Sequence, residues 1–413
     1  MIRERIATLA GVTVAALLAG VCGRAPAGEI VWWTPSWGEA RARQLVTTFE
    51  AAHPGTTVKL EISVPDGLPT RIQTALRSGS PPDVIEAQYG WIVPYAQAGL
   101  LLPLEDVLSD RPDYVPAALD SLTWNGRLWG LPFRIDAHAI LFNKALFREA
   151  GLDPARPPET WPEFIEAARK LTRTRADGHK EYGFAITGGG EVGNTLYRSL
   201  PFIWMNGGDL LSADMKTAVV NQPPAVLGLT FYTDMFLTHK VAQPSALADD
   251  GLAIRRLFIA GSAAMYQSGP FDVGPIRQEN PGLDLGVMMI PHPEGRDTAV
   301  VLGGWSFIVP KDSAHPKEAR QLVEFLTESR NMGFFTDTFP ARRSSMALPR
   351  YADPILENFK RMLPHARQVP QHKNWLQIVQ VYFEYLQRVL LRELTPQAAM
   401  DAAAREIQAL LDR

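Results

Sequence analysis

Val58, Leu60, Ile62 and Val64 alternate with Lys59, Glu61 and Ser63. A period of two places the apolar set on one face, so this stretch predicts a strand with one buried side. Its neighbours narrow the fold. Upstream, Glu29 to Thr34 reads as a first strand, and Ser36-Trp37-Gly38-Glu39 has the Ser-x-x-Glu form of a capping box. Leu45, Val46 and Phe49 follow at helical spacing toward Ala52, and His53-Pro54-Gly55 ends that helix. Downstream, a helix over residues 68–78 and a strand over 84–87 continue the alternation. Strand, helix, strand, helix, strand is the order of an α/β sheet with parallel pairs.

The same grammar returns later in the chain. Thr160-Trp161-Pro162-Glu163 is a second capping box, with proline inside the first turn, where its missing N–H costs least. Phe164, Ile165, Ala168 and Leu171 form the apolar stripe behind it. Tyr182 to Thr187 reads as a strand, Pro316 opens a helix with Leu322, Val323, Phe325 and Leu326 inward, and Thr395-Pro396 caps a closing helix to Leu411. At 413 residues the chain exceeds one ordinary core and suits two lobes. No linker is marked by composition, so the chain is expected to cross between the lobes more than once.

The N-terminus has the order of an export signal. Arg3 and Arg5 precede an uncharged run of 16 residues, Ile6 to Val21, and Ala25-Pro26-Ala27 supplies the small-x-small cleavage pattern. The run is short for a membrane span, which needs about 20 apolar residues. Residues 1–27 are read as a cleaved signal peptide, with Gly28 the mature start and the periplasm the destination. Lipid modification of Cys22 is the alternative; Val21, where a small residue is usual, disfavours it. With residues 1–27 removed, the mature chain has no cysteine, hence no internal disulfide or thiolate metal site. The formal net charge is −3 for the whole chain and is concentrated in no block, which argues against a nucleic-acid partner.

Several blocks together carry a resemblance. Pro82-Asp83-Val84-Ile85 precedes Ala98-Gly99-Leu100-Leu101-Leu102-Pro103-Leu104. Trp124-Asn125-Gly126-Arg127-Leu128-Trp129-Gly130-Leu131-Pro132-Phe133-Arg134 runs on to Leu141-Phe142-Asn143-Lys144, Glu149-Ala150-Gly151-Leu152 and Pro158-Glu159-Thr160-Trp161. Gly261-Ser262-Ala263-Ala264-Met265, Ser268-Gly269-Pro270-Phe271 and Gly303-Gly304-Trp305-Ser306 follow. In this order the blocks resemble the extracellular solute-binding proteins of family 1, the maltose- and glycerol-phosphate-binding type. The resemblance implies the two-lobed type II periplasmic-binding-protein fold, with the ligand in the cleft and hinge closure over it. The expected lobes are residues 28–137 with 300–345, and 138–299 with 346–413. It also implies a monomeric receptor without cofactor, serving the transmembrane permease subunits of an ABC importer.

Ligand loops of that fold lie at strand ends, which selects the candidate contacts. In the first lobe these are Trp37, Glu39, Gln88, Tyr89, Arg134 and Asp136. In the second they are Trp204, Asn206, Tyr266 and Ser268, with Gly304 and Trp305 at the return crossing and Arg342 beyond it. Aromatic rings suit the C–H faces of a sugar, and side chains such as Gln88, Asp136 and Asn206 suit its edges. Each has a structural alternative: Glu39 as a cap, Trp204 as core, Arg134 and Asp136 as partners of each other, Gly304 as a hinge. A sugar or oligosaccharide is the first expectation. A glycerol-phosphate-like anion, on Arg134, Arg342 and Arg343, is the second.

Enzyme readings are weaker. Gly188, Gly190 and Gly193 match the spacing of a dinucleotide loop, with Asp209 beyond, but no βαβ unit surrounds them, and a flexible glycine loop is the plainer reading. The histidines show no metal-ligand spacing, and neither a Gly-x-Ser-x-Gly elbow nor a P-loop occurs. An exported glycoside hydrolase stays open, because its two carboxylates meet only in space.

Overall fold

The computed structural model describes residues 28–64 and 67–413. The signal peptide, its cleavage site and Cys22 lie outside the described residues.

Among the described residues, nine strands build two main sheets: β1 (Glu29–Pro35), β2 (Thr57–Ser63), β3 (Val84–Gln88), β4 (Leu131–Asp136), β5 (Ala139–Asn143), β6 (Met265–Ser268), β7 (Leu285–Met288), β8 (Gly303–Ile308) and β9 (Phe339–Pro340). Six form one sheet in the order β9-β4-β8-β3-β1-β2. β1 pairs parallel with β2 and β3, which the strand–helix alternation predicts. β8 enters antiparallel between β3 and β4, so the chain returns to this sheet after leaving it. Three strands, β6-β5-β7, form the second sheet with antiparallel pairs. Only Ala137 and His138 separate β4 in the first sheet from β5 in the second.

The first lobe packs helices α1 (Glu39–Ala52), α2 (Leu68–Arg77) and α3 (Tyr89–Gln97) around its sheet. α4 (Trp161–Leu171) and α5 (Val192–Met205) belong to the second lobe, α6 (Pro316–Thr327) packs against the larger sheet and α1, and the chain ends in α7 (Trp375–Leu390) and α8 (Pro396–Leu411). The box at Thr160 forms as expected: the Glu163 amide donates to the Thr160 hydroxyl, and the Glu163 carboxylate accepts the Thr160 amide at 3.0 Å. The α6 stripe, Leu322, Val323, Phe325 and Leu326, is buried as its spacing predicts.

Three local expectations need correction. Ser36 to Gly38 forms a 3-10 turn, and α1 starts at Glu39 with no side-chain cap, so the first capping box does not exist. Val64 is 69% exposed, because β2 is the sheet's edge strand and ends one residue earlier. Residues 182–187 make only single bridges, Tyr182 to Ala263 and Ala185 to Tyr266, rather than a ladder. Gly183 lies so close to α4 that a Cβ would fall 2.0 Å from the Ala168 carbonyl oxygen, and this contact takes the place of regular pairing.

Candidate ligand-binding cleft

Strand register assembles one face of the larger sheet. Gln88 on β3 stands opposite Trp305 on β8, and Trp305 stands opposite Arg134 on β4. Two residues on, Gly303 faces Asp136 on the same side. Trp37, in the turn after β1, adds its ring edge-on to Trp305 at 4.8 Å, and Trp91 does the same from α3 at 5.4 Å. The Arg134 guanidinium lies 5.3 Å from the Trp37 ring centre and 5.6 Å from that of Trp305. Such cation–aromatic contacts hold rings and charge in fixed relation.

Arg134 does not pair with Asp136. Its Nη1 donates to Asp337 Oδ1 at 2.6 Å. Asp337 lies in the turn before β9, and no sequence spacing marked it. Asp136 is 5% exposed and accepts no hydrogen bond from any described residue. Burial pushes its carboxyl up to about 6, against the pull of Arg134. Behind this face Glu86 is buried, and burial raises it to about 8. The two glycines serve close approach within the protein: a Cβ on Gly303 would lie 2.0 Å from an Asp136 oxygen, and one on Gly304 2.4 Å from the Tyr89 ring. Tyr89 is itself buried, with its hydroxyl on the Arg134 carbonyl at 2.8 Å.

Beside this face opens a cavity of about 640 Å³, within the size range of small-molecule sites. Gln88 and Trp91 line it from the first lobe with Gln73 of α2. From the second lobe come Gly190 to Gly193, Tyr197 of α5, and Trp375 and Gln377 of α7. The glycine loop packs closely against its neighbours: added Cβ atoms would meet Ala246 and Leu247 carbonyls and Asp250 at 3.0 Å or less. Glu191 in that loop accepts the amides of Gly193 and Asn194, the first turn of α5. The side chains of Gln73, Gln88 and Gln377 and the Tyr197 hydroxyl make no hydrogen bond with the described residues.

The remaining candidates are used elsewhere. Tyr266 and Ser268 are fully buried and both donate to Asp272 Oδ2, at 2.9 and 2.7 Å. Trp204 is buried near the far end of α5, with Arg367 over its ring at 4.8 Å. Eleven residues of helix, about 16 Å, separate it from Gly193 at the cavity wall. Asn206 ends the same helix and donates to the Pro224 carbonyl at 2.8 Å. Glu39 pairs with Arg43 one turn on, at the surface. Arg342 is buried over Tyr114 and donates to Ser109 Oγ at 2.8 Å, and Arg343 donates to the Pro112 carbonyl at 2.6 Å. The structure thus takes Arg342 and Arg343 out of the anion site expected of them.

The comparisons with known proteins show the family and the two-lobed fold. The family model of bacterial extracellular solute-binding proteins matches residues 35–333. A binding protein of Brucella abortus is 27% identical over 98% of both chains. The multiple sugar-binding protein of Streptococcus mutans is 26% identical, covering 72% of this chain and 70% of its own. An ABC transporter solute-binding protein of Thermotoga lettingae, solved with α-D-tagatose, superposes with a TM-score of 0.85 at 29% identity, covering 93% of this chain and 99% of the other. No helix of the described residues is long and apolar enough to cross a membrane.

Proposed function

We propose, from the premise that this chain belongs to the bacterial extracellular solute-binding proteins, that it captures a neutral sugar or short oligosaccharide between its lobes for an ABC importer. The observation that carries the sugar is the composition of the cleft. Indole rings stand beside glutamine amides and a tyrosine hydroxyl that have no hydrogen-bond partner among the described residues. A pyranose has apolar faces and hydroxyl edges, and those groups match both. The glycerol-phosphate reading loses support, because Arg342 and Arg343 are engaged elsewhere and Arg134 is ion-paired.

In this reading the ligand bridges residues 28–137 with 300–345 and residues 138–299 with 346–413, and closes one lobe on the other about the crossings. It favours the closed form by its differential affinity for the two forms. The protein is exported by residues 1–27, acts as a periplasmic monomer, and binds without turnover and without nucleic acid. A thermal-shift screen over neutral sugars and phosphodiesters tests the ligand class, because a ligand held only by the folded state raises the melting temperature. Stabilisation by a neutral sugar recovered unchanged is the expected result. Stabilisation by phosphodiesters alone, or hydrolysis of the sugar, would overturn the reading.

A further inference from the structure

We propose that Asp337 is a specificity-determining residue that masks the charge of Arg134 and so keeps anionic ligands off the sheet face beside the cavity. The inference rests on the sugar reading of this cleft and deepens it. Arg134 is the one arginine on the sheet face between Trp37 and Trp305. Its Nη1 is held by Asp337 Oδ1 at 2.6 Å, and the other Asp337 oxygen lies 3.9 Å from Arg41 of α1. Asp136 stands two residues along the same strand, and its carboxyl senses the Arg134 charge. Asp337 therefore stands between Arg134 and Arg41, with the Asp136 carboxyl along the strand. An isolated guanidinium in such a place would be an anion site, since it presents a rigid fork of donors to carboxylate or phosphate. With Asp337 on it, the guanidinium still sits against the tryptophan rings, but its Nη1 and its charge are met by a carboxylate.

The mask can be removed without changing shape, by Asp337→Asn. Inorganic sulfate, a dianion at pH 6, is the probe, and pH 6 leaves Asp136 partly protonated. Sulfate raises the melting temperature of most proteins without saturation, so the readout is a saturable increment over wild type. The expected result is saturation in the millimolar range for Asp337→Asn. The extra rise should be about 2 °C at tenfold excess over the dissociation constant. Wild type and the double variant Arg134→Gln/Asp337→Asn should show only the common linear trend.

A saturable response in wild type would mean that Arg134 is not masked. Saturation in the double variant would place the anion on Arg41 or elsewhere, and no saturation in any form would mean that Arg134 cannot receive one. Each of these overturns the proposal. If Asp337→Asn fails to fold, Asp337→Ser carries the same test. The outcome is independent of the sugar screen on wild type, so failure of the mask and failure of the sugar reading can be told apart.

Discussion

Two buried aspartates, one in each lobe, are treated in opposite ways. Asp272 receives the Tyr266 hydroxyl, the Ser268 hydroxyl and Arg255 Nη1, all within 2.9 Å. Asp136 is 5% exposed and receives no hydrogen bond from the described residues, but its oxygens are not fully enclosed and reach solvent. Leaving a buried carboxylate unbonded is costly, and folds normally avoid it. The first arrangement ties a strand, a turn and a helix together and is complete as it stands. The second takes its donors from outside the protein, from water or from a ligand that displaces it. The difference separates groups that hold the fold from groups that await a partner.

The sharpest break of that comparison is to truncate a residue on the finished side. Tyr266→Ala empties a fully buried site beside Phe258 and strips Asp272 of a donor. A loss of about 3–5 kcal/mol in unfolding free energy is expected from denaturant melts. Ligand affinity of the protein that remains folded should be unchanged. A wild-type stability with a weakened affinity would move Tyr266 into the site.

On the unfinished side the effect appears as a pH dependence. The folded-state pKa of Asp136 lies at about 6, raised by burial above its ordinary 3.8. Between those values the folded protein holds more protons than the unfolded chain, so stability falls as pH rises through that window. The shift corresponds to a difference on the order of 3 kcal/mol between the two ends. Glu86, raised from 4.5 to about 8, adds a slope of the same sign that overlaps this window and extends above it. Asp136→Asn should make the part between pH 4 and 6 shallower in ligand-free melts and leave the slope that Glu86 contributes from its ordinary 4.5 up to about 8. An unchanged profile would show that Asp136 is solvated after all.

Two tryptophans extend the comparison. Trp37 is half-buried beside Arg134 and Trp305, whereas Trp204 is buried along α5 under Arg367. Once a sugar ligand is identified, Trp37→Ala should cost about 2 kcal/mol of binding, roughly thirtyfold in calorimetry, with cooperative unfolding retained. Trp204→Ala should do the reverse and lower stability while sparing affinity. Identical behaviour of the pair would remove the distinction between the two lobes' aromatics.

What could be read from the chain follows the same division. The strand–helix alternation, the Thr160 box and the α6 stripe depend on local periodicity and were legible. The placement of Gln88, Arg134 and Trp305 on one sheet face follows from strand register at the crossing. Asp337 was invisible: its role comes from a contact across 203 positions of chain. The cavity wall on α7 was missed for a related reason, since Trp375 and Gln377 sit in an amphipathic helix that reads only as packing. For Tyr266, Ser268 and Trp204 the residue type and nearby turn were right for a site. Inward and cleft-facing orientations on a short strand or helix give the same sequence pattern.

The smallest expected effect tests the weakest member of the first lobe's set. Glu39 stands at the start of α1, next to Trp37, yet its carboxylate is 42% exposed and held by Arg43 at 2.7 Å. An exposed pair one helical turn apart contributes about 0.3–0.5 kcal/mol, and a carboxylate in the first turn gains a similar amount from the helix dipole. Glu39→Ala should therefore shift the unfolding midpoint slightly and change ligand affinity less than twofold. Arg43→Ala should give the same small stability change if the pair is the whole of Glu39's role. A tenfold loss of affinity in Glu39→Ala alone would mean that the carboxylate leaves Arg43 when the lobes close and joins the ligand. Glu39 would then belong with Asp136 among the groups that the ligand completes.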